Sequence, residues 1–367
     1  VEMLSNIVSL KKNIVISGSH GKTTTTSLVS KILLESKLDP TIINGGVINS
    51  INNNAKLGKG DWAVLEADES DGSFLKLPIN YSIVTNIDKE HIDFYKNYQK
   101  LENCFIKFIN KTPPIGKCII CIDDKNINNL LKKIKTKNIL TYGFNPNSDY
   151  QIINPKYNVK NCKFDLIIKN FLGKKIIIKS IVLNLIGKHN ILNSVAAISV
   201  CLNLGIKIKI IKKALLKFTG VQRRMTKIFE KNGNEFYDDY AHHPTEIYSV
   251  LESIKKVANQ KKITSVFQPH RFSRVSILKK EFSKSFKFSD RVVLCPIYAA
   301  GEKIDKKIDL IKFGRMIALN SNVELIIIKD EENFKNFFKK NLIKNEIVIG
   351  MGAGSISNWM RNLKLSL

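Results

Sequence analysis

The sequence predicts an α/β protein of two domains. The first carries a mainly parallel sheet with appended antiparallel strands, and the second is a Rossmann-like α/β domain. Three observations carry this prediction. Short apolar runs alternate with helix-forming stretches along the chain, the pattern of parallel strands covered by helices. Between about residues 149 and 186 the texture changes to short runs separated by turn residues, and the alternation restarts after Phe218-Thr219-Gly220. The 367 residues, 44% of them hydrophobic, suffice for two cores. We therefore expect domains at 1–219 and 220–367.

In order, strands are expected at 13–17, 41–44, 63–66, 83–86 and 118–122, with helices at 23–35 and 98–109. The runs 164–168, 175–179 and 181–186 read as three antiparallel strands, turning at Phe171-Leu172-Gly173. A helix at 190–204 follows, with Gly205 as its stop signal. The second domain is expected to place strands at 236–238, 263–267, 292–295, 325–328 and 347–349.

Composition excludes several classes. The net charge of +27 rests almost wholly on lysines scattered along the chain, and only seven arginines occur, at 223, 224, 271, 274, 291, 315 and 361. A nucleic-acid footprint would be clustered, richer in Arg and interleaved with exposed aromatics, so no nucleic-acid partner is expected. The six cysteines form no disulfide framework, and Cys118-Ile-Ile-Cys121 lacks the second pair that a zinc site needs. No apolar run reaches the length of a membrane span. The expected place is the cytoplasm, as a monomer or homodimer.

Chemistry concentrates first at Gly18-Ser19-His20-Gly21-Lys22-Thr23-Thr24, which follows the apolar run Ile14-Val15-Ile16 and opens a helix. A buried strand feeding a glycine turn and a helix N-terminus gathers backbone N–H groups and positive potential where a nucleotide phosphate binds. Lys22 is placed to reach the β- and γ-phosphates, and the Thr23 hydroxyl to meet Mg²⁺. The loop departs from GxxxxGK[ST], which would have glycine where Ile16 stands.

Glu66-Ala67-Asp68-Glu69-Ser70-Asp71 ends one strand in four carboxylates, well placed to hold a cation against phosphate oxygens. His91, among acids after the next strand, is either a ligand or a surface residue capping a helix. Asn190 and Asn193 stand three apart on one helical face, either capping the helix or meeting a base. In the second domain, Asp238-Asp239-Tyr240-Ala241-His242-His243-Pro244-Thr245-Glu246 ends a strand and starts a helix. Arg271 and Arg274, in a chain that otherwise uses Lys, suggest bidentate recognition of carboxylate or phosphate.

Taken together, GSHGKTTTT, EADESDGSF, TNIDKEHID, GKHNILN, GVQRR, DDYAHHPTE, FQPHRFSR and MGAGS resemble the Mur ligases of peptidoglycan synthesis, in the family order and along nearly the whole chain. The resemblance implies an ATP-dependent ligase that activates a substrate carboxylate as an acyl phosphate and passes it to an amine. It implies UDP-N-acetylmuramate and L-alanine as substrates, because Glu69-Ser70-Asp71-Gly72-Ser73-Phe74 looks more like the alanine-adding type than like the recycling type that adds a ready-made tripeptide. From a different class, an inactive nucleotide-binding fragment is the alternative.

Carried over, Gly18 to Thr24 match the triphosphate loop, with ATP and Mg²⁺ as cofactors. Lys22, Glu66 and His91 take the catalytic positions, and Thr23, Glu66 and His91 those of metal ligands. Asn190, Asn193, Arg224, Asp239 and His242 match nucleotide contacts. Arg271, Arg274, Ser70 and Asp71 match substrate contacts. Glu90 stands where the family has Asp. The resemblance also implies that the family's N-terminal uridine-diphosphate-binding domain is missing here, since the chain starts almost at the phosphate loop and holds no GxGGxG.

Overall fold

The computed structural model describes residues 1–305 and 307–367, apart from the side chains of 92 and 93. It divides into two compact units, Val1–Val221 and Gln222–Leu367.

The first unit runs α1 (Glu2–Val8), β1 (Lys12–Ser17), α2 (Lys22–Glu35), β2 (Thr41–Ile48), β3 (Asn53–Lys56), β4 (Trp62–Glu66), β5 (Tyr81–Val84), α3 (Ile92–Tyr95), α4 (Tyr98–Asn110), β6 (Cys118–Cys121), α5 (Lys125–Leu130), β7 (Ile139–Gly143), β8 (Tyr150–Tyr157), β9 (Cys162–Phe171), β10 (Lys174–Leu183), α6 (Lys188–Asn203) and α7 (Ile208–Leu216). Its ten strands form one sheet in the order β10-β9-β8-β7-β6-β5-β1-β4-β2-β3. Pairing is parallel from β2 through β4, β1, β5, β6 and β7 to β8, and antiparallel at β2–β3, β8–β9 and β9–β10.

β1 is central, so its apolar run is buried on both faces rather than alternating with polar residues. Ile14 and Ile16 pack with Leu28 and Val29 of α2 and Val195 of α6 in one core cluster. Val15 joins a second cluster with Leu101, Phe105 and Phe108 of α4. Residues alternate between clusters as the pleat requires. α2 is buried through most of its length. Its interior hydroxyls turn back onto the helix, Ser27 Oγ donating to Thr23 O at 2.7 Å and Ser30 Oγ to Thr26 O at 2.8 Å. Gly205 ends α6 with φ +79°; its N–H donates to Leu202 O and that of Ile206 to Cys201 O, a Schellman stop.

One expectation is corrected. The runs at 175–179 and 181–186 are not two strands: β10 is continuous to Leu183. Its register on β9 shifts between Ile178 and Ile181, where Ser180 adopts φ +58° and donates its N–H to Asp165 Oδ1. That bulge interrupts the apolar pattern without ending the strand.

The second unit runs β11 (Thr226–Lys231), β12 (Asn234–Asp239), α8 (Pro244–Lys255), β13 (Lys262–Phe267), α9 (Phe272–Ser283), β14 (Arg291–Leu294), α10 (Leu310–Ser321), β15 (Glu324–Ile327), α11 (Glu331–Asn341), β16 (Glu346–Met351) and α12 (Ile356–Ser366). Strand order is β11-β12-β16-β13-β14-β15, parallel except at β11–β12. Among the described residues no helix is long and apolar enough to cross a membrane.

Candidate active site

Register builds the first site. Ile16 pairs with Glu66 and Ser17 with Val84, so the carboxyl ends of β4 and β5 flank the loop that leaves β1. Gly18 adopts φ +128°, and a Cβ there would lie 2.2 Å from Thr85 Oγ1. Gly21 caps α2 at φ +85°, where a Cβ would lie 2.5 Å from Asn193 Oδ1. Both glycines are therefore demanded by close approach as well as by backbone conformation.

The segment after β5 holds the loop's shape. Ser19 N donates to Asn86 O, His20 N to Asn86 Oδ1, and Thr85 Oγ1 and Asn86 Nδ2 both donate to His20 O. Asp88 N donates to Ser19 Oγ, and Asp88 Oδ2 lies 3.1 Å from His20 Nε2. α2 has no side-chain cap, so the first-turn N–H groups of Lys22, Thr23 and Thr24 lack helical acceptors, as anion binding requires.

Lys22 is buried in a nest of acids. Its Nζ donates to Gly18 O at 2.7 Å, Ser19 O at 3.3 Å and Glu69 Oε2 at 2.7 Å. Burial pulls its pKa down, but the carboxylates of Glu69, Asp68 and Glu90 outweigh that and hold it above its ordinary value. The ammonium stays charged at any pH at which the protein works. Glu69 is fully buried, and its Oε1 has no hydrogen-bond partner among the described residues.

Glu66 is fixed through both oxygens: Thr23 Oγ1 donates to Oε1 at 2.9 Å and Gly45 N to Oε2 at 2.6 Å. His91, at φ +54°, sits with a different set of acids. Its Nε2 lies 3.7 Å from Glu69 Oε1 and 3.9 Å from Glu90 Oε2. The ligand atoms of His91, Asp68 and Glu69 all lie within 4.8 Å of one another. The three residues expected to hold metal thus fall into two donor sets, Thr23 with Glu66 and His91 with Asp68 and Glu69.

α6 brings its amides to the loop. Asn193 meets Gly21, Asn193 Nδ2 donates to Asn190 Oδ1 at 3.4 Å, and Asn190 Nδ2 donates to Ile186 O. Ser70 and Asp71 lie in turns beyond the acids, where Asp68 Oδ1 accepts from Ser70 N and Asp71 Oδ1 from Ser73 N. The sequence reading missed Glu69, Asn86 and Gly45 as individuals. Only the cluster of acids after β4 signalled Glu69, and nothing in that run tells which carboxylate turns inward.

The second unit gathers its residues at the carboxyl ends of β12 and β13. Asp239 accepts from Met225 N and Ala241 N at 2.8 Å each, which bends the loop after β12. Arg223 and Arg224 lie over the Tyr240 ring, 4.9 and 5.4 Å from its centroid. Arg224 also lies 3.6 Å from Glu246, which accepts from the N–H groups of His242 and His243 and closes a capping box on α8. Arg274 Nη1 reaches His270 Nδ1 and O, and the His270 ring stacks on Tyr298 and meets His242 edge-on. Arg271 opens α9 at φ +70°, its N–H on Tyr298 O.

Burial lowers His242 to about 3 against the opposing pull of Glu246, while burial and the Arg274 and Arg271 charges lower His270 to about 4. Both rings are neutral in the fold. The stability they contribute is present above their ordinary value of 6.5 and is lost as pH falls toward 4. Asp239 has the opposite sign: burial raises it to about 6, so its ionised form costs stability above that pH. The expected result is a falling urea midpoint for this unit as pH drops from 7.5 to 5. His242→Gln should flatten that slope; an unchanged slope would refute the assignment.

With this geometry in place, comparison with known proteins is specific. The family profile of the Mur ligase middle domain matches residues 16–201, and that of the Mur ligase glutamate ligase domain matches 223–354. The chain is 55% identical to the UDP-N-acetylmuramate–L-alanine ligase of Pelagibacter ubique, over 99% of this chain and 78% of that protein. It is 42% identical to the ligase of the same name from Vesicomyosocius okutanii, over 100% of this chain and 78% of that protein. The crystal structure of UDP-N-acetylmuramate-alanine ligase from Thermotoga maritima superposes with a TM-score of 0.81 at 26% identity, covering 99% of this chain and 77% of that one. A murein peptide ligase from Psychrobacter arcticus shares the fold, with a TM-score of 0.72 at 19% identity, covering 100% of this chain and 79% of that one. The chain belongs to the Mur ligase family.

Proposed function

We propose that this chain uses ATP to join the carboxylate of UDP-N-acetylmuramate to the amine of L-alanine, in the synthesis of peptidoglycan precursors. The observation that carries this reading is the meeting of Lys22, the uncapped N-terminus of α2 and the Thr23–Glu66 pair at one loop, in a chain 55% identical to a ligase of that name.

A carboxylate is a poor acyl donor to an amine, so the reaction takes two steps. A carboxylate oxygen of the sugar substrate attacks the γ-phosphorus, the P–O bond to ADP breaks, and an acyl phosphate forms. The alanine amine then attacks the acyl carbon and loses a proton, and the tetrahedral adduct expels inorganic phosphate. The protein's work is positioning and charge neutralisation. Lys22 and the loop N–H groups stabilise the phosphoryl oxygens.

Thr23 Oγ1 and Glu66 Oε1 are hard oxygen donors 2.9 Å apart, a fit for Mg²⁺, which when bound neutralises phosphate charge. His91 with Asp68 and Glu69 is the second candidate set. We assign Asn190, Asn193, Arg224, Asp239 and His242 to the nucleotide, and Ser70, Asp71, Arg271 and Arg274 to the substrates. We place the reaction in the cytoplasm, a reading supported by six free cysteines, five of them buried.

The test is phosphate release from Mg-ATP with UDP-N-acetylmuramate and either L-alanine or the tripeptide. Release that requires L-alanine supports the proposal; release only with the tripeptide would transfer the chain to the recycling activity. Arg274→Lys should raise the KM of one acidic substrate by about tenfold, because an ammonium cannot reproduce a bidentate fork. Unchanged saturation by both substrates would remove Arg274 from the site.

A further inference from the structure

We infer that Glu69 is a positioning residue that holds the Lys22 ammonium in an ion pair and competes for it with the terminal phosphates of the nucleotide. The inference rests on the reading of residues 18–24 as the triphosphate loop. An ammonium group has three donors. Those of Lys22 go to Gly18 O, Ser19 O and Glu69 Oε2, so a phosphate meets Lys22 only by exchange with one of these acceptors.

The two carbonyls belong to the loop backbone, which Thr85 and Asn86 pin in place. Glu69 is a side chain with somewhere to go. Its backbone carbonyl is anchored by the Tyr95 hydroxyl, while Oε1 makes no hydrogen bond among the described residues and lies 3.7 Å from His91 Nε2. Rotation of the carboxylate would exchange Lys22 for His91 without exposing the acid. The incoming phosphate carries more negative charge than the carboxylate it displaces, so the ammonium is not left unpaired. Nucleotide affinity is scaled down to the fraction of time Lys22 spends off Glu69, so roughly nine-tenths occupancy of the ion pair costs about tenfold.

The experiment is calorimetric binding of ATP and of AMP, both without metal, to the wild-type chain and to Glu69→Gln, which keeps the side-chain size and removes the charge. The expected result is ATP affinity tightened by roughly tenfold and AMP affinity unchanged, since AMP lacks the phosphates that reach Lys22. A purely structural acid would weaken both ligands or neither. ATP binding that is equal or weaker in folded Glu69→Gln, or an equal gain for AMP, overturns the inference. Should that variant fail to fold, Glu69→Asp keeps the charge, falls one methylene short of Lys22, and is held to the same criteria with a smaller gain. If the wild-type chain binds ATP no more tightly than AMP, the triphosphate reading itself fails, an outcome visible before any variant is made.

Discussion

Lys22→Ala should lower ATP-dependent phosphate release by about 10²–10³-fold or more, the usual scale for one preorganised charge at a reacting phosphoryl or oxyanion. The ammonium is buried, fixed by three acceptors and kept charged by the surrounding acids, so no solvent molecule can replace it. The same change should also destabilise the first unit. It leaves the fully buried Glu69 without its partner, a type of loss that costs about 3–5 kcal/mol. The two effects separate in the double variant: Lys22→Ala with Glu69→Gln should recover much of the stability and none of the turnover. Near-normal phosphate release by folded Lys22→Ala would end the phosphate-loop assignment.

The second large effect is expected at Gly18→Ala. At φ +128° a side chain is strained in any surroundings, and here the new Cβ would lie 2.2 Å from Thr85 Oγ1 and 2.9 Å from Thr85 N. Backbone strain contributes about 1–3 kcal/mol, and overpacking against a strand end that cannot yield adds about 1–3 kcal/mol. The loop would be pushed off Thr85 and Asn86, taking the first-turn N–H groups with it, so ATP affinity should fall together with stability. Gly205→Ala is the control. Its φ of +79° carries strain, but nothing lies within 4 Å of the new Cβ. That variant should lose about 1–2 kcal/mol and keep ATP affinity. If urea denaturation and ATP binding place the two variants together, close approach at Gly18 is not what demands the glycine.

Much of this architecture was legible because its elements are buried on both sides. The apolar runs now seen as β1, β4 and β6 have no competing polar reading, and the glycine loop after β1 announces its own conformation. Elements that failed to show are those whose pattern is local or half-exposed. β3 reads Asn53-Asn54-Ala55-Lys56 and pairs only at the sheet edge, and β11 alternates weakly beside β12. β10 was divided because the bulge at Ser180 breaks its period. In the candidate site, residue types and spacing pointed to Lys22 and Thr23, the resemblance pointed to Glu66 among the acids after β4, and the structure sets Thr23 against Glu66. Neither singled out Glu69 or Tyr240, since which acid or ring turns inward is decided by local turns, those at Ser70 and Ser73 for the acids and the Asp239 bonds to Met225 N and Ala241 N for Tyr240.

The contact between Gly21 and Asn193 has a consequence for synthesis of the chain. Within this unit the loop is made before the helix that closes over it, which follows about 170 residues later, roughly 10–35 s at ordinary elongation rates. The strands that flank β1, β4 and β5, are made in the first part of that interval, so β1 can pair on both sides well before α6 is made. What waits is the closure of the loop, not the pairing of its strand. Within this unit the loop is among the first parts made and among the last to be closed, because Asn193 of α6 meets Gly21 only then.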